Sequence, residues 1–147
     1  MMRNNYEQSA QSRLISRIQE IFPMNEEEVK VFSERIIVKH YLKGDTLISE
    51  GQTNDKAFFL IDGLVRQYTL KDGKDKTVFF YLENQMIRLL EKDSNQDKSS
   101  YYLECLENST ICVAYSRPDD EEFIKKYPRF QTLCLILMED IFKQSQN

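Results

Sequence analysis

Histidine occurs once in this chain, cysteine three times and glycine four times, and each shortage removes a class of function. A β-barrel enzyme that holds a metal needs several imidazoles and a carboxylate around one ion. His40 alone cannot build that set, any Ser/His/Asp arrangement would have to pass through it, and no G-x-S-x-G stretch occurs. The cysteines, Cys105, Cys112 and Cys134, are odd in number and form no C-x-x-C pair, so neither a disulfide framework nor an iron–sulfur cluster is expected. They read as reduced, mostly buried thiols of a cytoplasmic, non-catalytic protein without a cofactor. Positive charge is not in excess: the net charge is −4, which gives no general pull toward nucleic acid or anionic membrane. The longest apolar run near the C-terminus, Leu133 to Met138, is far too short to span a bilayer. The first twenty residues are polar and helical in pattern, unlike a signal peptide, and no membrane partner is expected.

The four glycines all fall within "KGDTLISEGQTNDKAFFLIDGLVRQYTLKDGK", at 44, 51, 63 and 73. Their spacings of 7, 12 and 10, with apolar and β-branched residues between, predict short antiparallel strands joined by tight turns. Strands are expected at Ile36–Val38, Thr46–Glu50, Ala57–Ile61, Leu64–Leu70, Thr77–Leu82, Tyr101–Leu106 and Ile111–Tyr115. Ala57–Ile61 reads as buried on both faces, and Asp62-Gly63 carries the residue types of a type I′ hairpin turn. Strands this short close into a roll rather than an open sheet.

Helices flank the roll. After a polar lead through residue 11, Leu14, Ile15, Ile18, Ile21 and Phe22 form one helical face that Pro23 ends. Asn25 followed by Glu26, Glu27 and Glu28 reads as an N-cap with a solvated acidic first turn. Pro118 and the acids 119–122 open another helix, and Tyr127-Pro128 breaks it. A last helix, from about 128 to about 145, carries the stripe Phe130, Leu133, Cys134, Leu137, Met138 and Ile141, with Leu135, Ile136 and Phe142 off it. A helix apolar around so much of its circumference needs a second cover: either the roll, or the same helix of a second copy in a homodimer. The expected fold is mainly β with flanking helices, a double-stranded antiparallel, jelly-roll-like β-roll with N-terminal helices and a long C-terminal dimerisation helix. The expected divisions are 1–35, 36–116 and 117–147.

Residues 42–87, with Lys43-Gly44, Gly51, Phe58 to Ile61, Gly63 and Val65, resemble the first half of the effector domain of Crp/Fnr-type transcription regulators, relatives of the cyclic AMP receptor protein. The resemblance implies a small effector bound inside the roll, dimerisation through the long helix, and DNA contact only through a helix-turn-helix domain that does not occur in residues 1–147. Either the natural protein continues into such a domain or this is a free-standing module acting in self-association or partner binding.

In nucleotide-binding relatives the cassette after the hairpin strand carries a Gly-Glu pair and then Arg-Ser or Arg-Ala. Glycine frees backbone N–H groups, the arginine fork grips the cyclic phosphate, and the glutamate accepts from the ribose hydroxyl. Here the stretch reads "NQMIRLLEKDSNQDKSSYYLE", with Arg88 and Leu89 at the Gly-Glu positions, Ser100 near the arginine position and Lys98 close by. The glycine, carboxylate and arginine are therefore missing, and a buried phosphate without a cation is heavily disfavoured. Arg88 and Lys98 could reach inward only from a rebuilt loop. Ser99 and Ser100 read as turn residues or ligands, and Ser145 sits at a spacing from Pro128 that resembles a base-contacting hydroxyl on the long helix. Phe80, Leu82, Ile87, Leu89 and Tyr101, closed by Leu137 or Met138, are the expected apolar wall of a pocket, or simply core. The effector, if there is one, is unidentified and more apolar than a nucleotide.

Overall fold

A computed structural model describes residues 5–53, 55–87 and 98–136. Two helices, α1 (Asn5–Ile21) and α2 (Glu26–Ser33), precede eight strands: β1 (Ile37–Tyr41), β2 (Thr46–Ile48), β3 (Lys56–Asp62), β4 (Val65–Lys71), β5 (Lys74–Tyr81), β6 (Met86–Ile87), β7 (Tyr102–Cys105) and β8 (Ser109–Tyr115). Then come α3 (Asp120–Lys126) and a helix, α4, described over 129–136. The strands form two four-stranded antiparallel sheets, ordered β1-β8-β3-β6 and β2-β7-β4-β5. The fold is the expected β-roll with flanking helices.

Strand β3 shows why the two layers hold. Its side chains alternate faces, and both faces are buried. Phe58 and Leu60 point between the sheets, where they pack with Val65, Tyr81, Leu103 and Ile111. Phe59 and Ile61 point the other way, under the helices, with Leu14, Ile18, Cys112 and Phe130. A continuous apolar run satisfies both cores at once, as the sequence suggested.

One turn differs from expectation. Asp62-Gly63 does not make a hairpin, because β3 and β4 belong to different sheets and only Gly63 of the two has positive φ, +120°. It is the corner where the chain leaves one sheet for the other. The type I′ hairpin lies at Asp72-Gly73, with φ of 54° and 75° between the paired Lys71 and Lys74. Chain neighbours β7 and β8 likewise split between the sheets, and the short strand β6 was not anticipated.

The helical layer also departs from the sequence reading. Helix α1 begins at Asn5, and Ala10 and Gln11 are buried although they belong to the expected polar lead. Gln11 Nε2 donates to the carbonyls of Ser33 and Ile36, both at 3.2 Å, which ties α1 to the end of α2. Asn25 caps α2 in a capping box with Glu28. Glu28, expected in solvent, is buried, because its carboxylate also meets Arg129 at 2.5 Å. Arg35 binds Asp119 and Asp120, at 3.2 and 2.5 Å, and joins α2 to the start of α3. No described helix is long and apolar enough to cross a membrane.

Candidate functional site

The roll interior lies between the inner faces of the two sheets. Of the expected wall, Ile87 and Tyr101 are there, both buried. Phe80 and Leu82 are not: they are 53% and 56% exposed. The reason is the phase of β5. Tyr81 is almost fully buried and Phe79 packs beside it, so their neighbour Phe80 must point outward. A register shift between Gln67 and Tyr68 opposite this strand breaks the simple alternation that a sequence reading assumes. Leu89, Arg88, Leu137, Met138 and Ile141 lie outside the described residues.

The end of the cassette is tied to the glycine-cornered loop before β3. Thr53 and Lys98 form an antiparallel bridge. The Gly51 amide donates to the Ser99 carbonyl and the Ser99 amide to the Gln52 carbonyl, each at 2.8 Å. The buried Ser99 hydroxyl donates to the Tyr101 carbonyl at 2.6 Å and accepts from the Tyr101 amide at 3.1 Å. Ser99 is thus a turn residue whose groups are committed locally. Ser100 is half-buried and Lys98 is exposed.

Cations are engaged elsewhere. Every described arginine meets a carboxylate: Arg13 with Asp62, Arg17 with Glu20, Arg35 with Asp119, Arg66 with Asp75, Arg117 with Asp119 and Arg129 with Glu28. The strongest of these clusters covers the solvent side of the β4/β5/β7 sheet. Arg66 binds Asp75 at 2.7 Å and Glu104 at 3.0 Å and lies over the Tyr68 ring, which stacks on Tyr102 at 5.0 Å. The hydrogen bond with Asp75 raises the guanidinium pKa and holds the Asp75 carboxyl below its ordinary value.

Inside the roll the polar groups are few. Gln67, 2% exposed, sits on the inner face of β4 between its register partners Phe79 and Leu103. Its Oε1 accepts from the hydroxyl of buried Tyr81 at 3.0 Å. Burial pushes the Tyr81 phenol well above the ordinary tyrosine range, and it likewise raises the Cys105 thiol. Gln67 was not singled out from the sequence. The signal available was its place in phase with Val65 on an inward face.

The stripe on α4 divides. Phe130 and Leu133 are buried in the chain's own helical core, stacked among Phe32, Phe123 and Tyr127, so these two are not free to form an intermolecular face. Cys134 is exposed, and Leu135, assigned off the stripe, is 64% exposed. The phase differs because Phe130 of α4 packs on Phe32 of α2 and Phe123 of α3. A cavity of 330 Å³ lies in this layer, outside the roll, lined by Leu14, Ile18, Cys112, Phe123 and Cys134 among others. No group of three or more potential metal ligands occurs among the described residues.

Comparison with solved structures places this architecture. A cyclic nucleotide-binding domain from Methylobacillus flagellatus KT superposes with a TM-score of 0.75 at 14% identity, over 93% of this chain and 80% of that one. The catabolite activator protein of Thermus thermophilus gives 0.65 at 13% identity, over 88% of this chain and 60% of that one. The N-terminal domain of a transcriptional regulator from Streptomyces coelicolor A3(2) gives 0.64 at 15% identity, over 88% and 90%. Identities this low speak for the fold alone. A search of curated proteins by sequence returns no match. The family profile described as "Cyclic nucleotide-binding domain" matches residues 38–127, more than half of the chain, from the second residue of β1 through α3. The chain belongs to the cyclic nucleotide-binding domain family.

Proposed function

We propose that this chain is the effector-sensing and dimerisation part of a Crp/Fnr-type transcription regulator, and that its roll takes an effector without gripping a cyclic phosphate. The observation that carries the reading is the state of the cations. Each described arginine is held by a carboxylate, Lys98 is exposed, and the Gly51 amide and Ser99 hydroxyl are spent on local bonds. A phosphodiester moved into the roll would lose its hydration without gaining a paired charge from the described residues, a cost of several kcal/mol or more. Among the described residues the interior offers instead aromatic and aliphatic walls and one buried amide, Gln67, bonded to the Tyr81 phenol. These suit a neutral, planar effector. The fold likeness to a catabolite activator protein and to the N-terminal domain of a transcriptional regulator supports a regulatory role.

We assign dimerisation to the stripe that the sequence gives the last helix, of which Cys134, with Leu135 beside it, is exposed, while Leu137, Met138 and Ile141 lie outside the described residues. Titration calorimetry with cyclic AMP and cyclic GMP tests the effector reading. No heat is expected at micromolar ligand, and micromolar affinity for either compound overturns it.

A further inference from the structure

We propose that the 330 Å³ cavity in the helical layer, outside the roll, is a binding site for a neutral aromatic molecule the size of about two fused rings. The proposal does not depend on an effector between the sheets. The cavity floor is the outer face of the β1-β8-β3-β6 sheet, and residues of all four helices line its walls.

The floor explains why the space is there. On the outer face of β3, Phe59 and Ile61 fill the gap beneath the helices with large side chains. The same alternation puts Ala57 on this face, and its register partner on β8 is Ala114. Both alanines are only partly buried, and both line the cavity. Two methyl groups opposite one another leave a hollow that larger side chains would close. Folded interiors hold few voids larger than a water molecule, because unfilled walls forgo their dispersion contacts. A space this large, floored by a pair of alanines, is shaped for a guest.

The lining says which guest. Phe130 lies 6.0 Å from Phe32 and 5.1 Å from Phe123, centroid to centroid, so one wall is aromatic and suits a flat ring. An apolar cavity of about 150 Å³ takes benzene, so 330 Å³ suits roughly two fused rings. Charge narrows the class further. Among the described lining residues only Arg35 and Asp120 are charged. Arg35 is already held by Asp119 and Asp120 and lies over the Phe123 ring at 4.2 Å. No cation is left for an anionic head group, and the two carboxylates repel one. The same guanidinium offsets the Asp120 charge, which weakens its pull on a cation. The Asp120 carboxylate can still accept from an O–H or N–H on the edge of a ring, because its oxygens offer several lone-pair sites. A bicyclic arene with one such donor meets each of these conditions.

The probe is 2-naphthol, and methyl-labelled alanine reports where it binds. The chain has three alanines, and the third, Ala10, is buried in the same core without lining the cavity. Titration is expected to move the Ala57 and Ala114 methyl resonances with one shared affinity and to leave Ala10 nearly still. The resonances are assigned by their loss in Ala57→Val and Ala114→Val. Ala114→Leu pushes a larger side chain into the hollow and should weaken binding about tenfold or more, with Tm no lower than that of the parent because the side chain enters empty space. Should Ala114→Leu fail to fold, Ala114→Val is expected to weaken binding about threefold. Naphthalene-2-sulfonate, the same ring with an anion in place of the hydroxyl, should bind about tenfold or more weakly than 2-naphthol. No saturable shift at Ala57 and Ala114, an equal shift at Ala10, undiminished binding by the filled variants, or sulfonate binding as tight as that of 2-naphthol overturns the proposal.

Discussion

Replacing Gly63 by alanine attacks the corner at which the chain passes from one sheet to the other, and the structure sets the size of the effect. Gly63 has φ of +120°, where a side chain is strained. A Cβ there would lie 2.1 Å from Ser109 Oγ, 2.7 Å from its Cβ and 2.9 Å from its Cα. The hydroxyl could rotate away only by giving up its bond to the Glu107 carbonyl at 2.9 Å, and the clash with the rest of Ser109 would remain. Backbone strain costs about 1–3 kcal/mol. Overpacking adds about 1–3 kcal/mol. The lost hydrogen bond adds about 1 kcal/mol. A total of roughly 3–7 kcal/mol is a large part of the stability of an ordinary domain and lowers Tm by about 10–20 °C. Gly73→Ala is the control: φ is +75°, but nothing lies within 4 Å of its added Cβ, so only the backbone cost of about 1–2 kcal/mol applies. Urea unfolding followed by circular dichroism measures both. Equal losses in the two variants, or a Gly63→Ala loss below about 1 kcal/mol, would refute the corner argument.

Two further outcomes follow from the same structure, and a third from the proposed helix pair. Because Arg66 depresses the Asp75 pKa, the native carboxylate contributes stability above its ordinary value of 3.8, and this is lost as pH falls through and below that value. Asp75→Asn should therefore be less stable at neutral pH and show a flatter acid limb in chemical unfolding measured from about pH 2 to about pH 6, which brackets the ordinary carboxylate range. Tyr81, whose phenol is raised by burial, should stay protonated when exposed tyrosines ionise, and stability should fall as pH rises above the ordinary value of 10.0; because Tyr41, Tyr68 and Tyr127 are raised as well, ultraviolet difference absorbance should show fewer tyrosinates in the parent than in a denatured sample at that pH, and Tyr81→Phe should narrow that gap by one. Met138→Glu should convert dimers to monomers in sedimentation velocity, and an unchanged oligomer would count against the helix-pair assignment.

The sequence made the roll legible because its signals were local and agreed with one another. The run Phe58–Ile61 could be read as buried on both faces, and it is, since each of its side chains has a core to enter. The Asn25 cap could be read from residue types four positions long. What escaped was set by packing between distant segments. Asp62-Gly63 has the composition of a hairpin, yet Ser109, far along the chain, approaches it so closely that only glycine fits. Glu28 sits in an acidic first turn that reads as solvent-facing, and Arg129 from α4 buries it. For the site, the phase of β5 was decided by a register shift that no alternation rule contains, so Phe80 and Leu82 stood in for Phe79 and Tyr81. Gln67 passed unnoticed because a glutamine on a strand is unremarkable until its surroundings are known to be dry.

The separation of effector binding from phosphate binding is tested most directly by crystals grown with saturating cyclic AMP. The expected result is a roll whose interior holds no cyclic phosphate, with Lys98 still exposed beside the Thr53 bridge. A cyclic phosphodiester between the sheets, its anionic oxygens held by Arg88 or Lys98, would contradict the account.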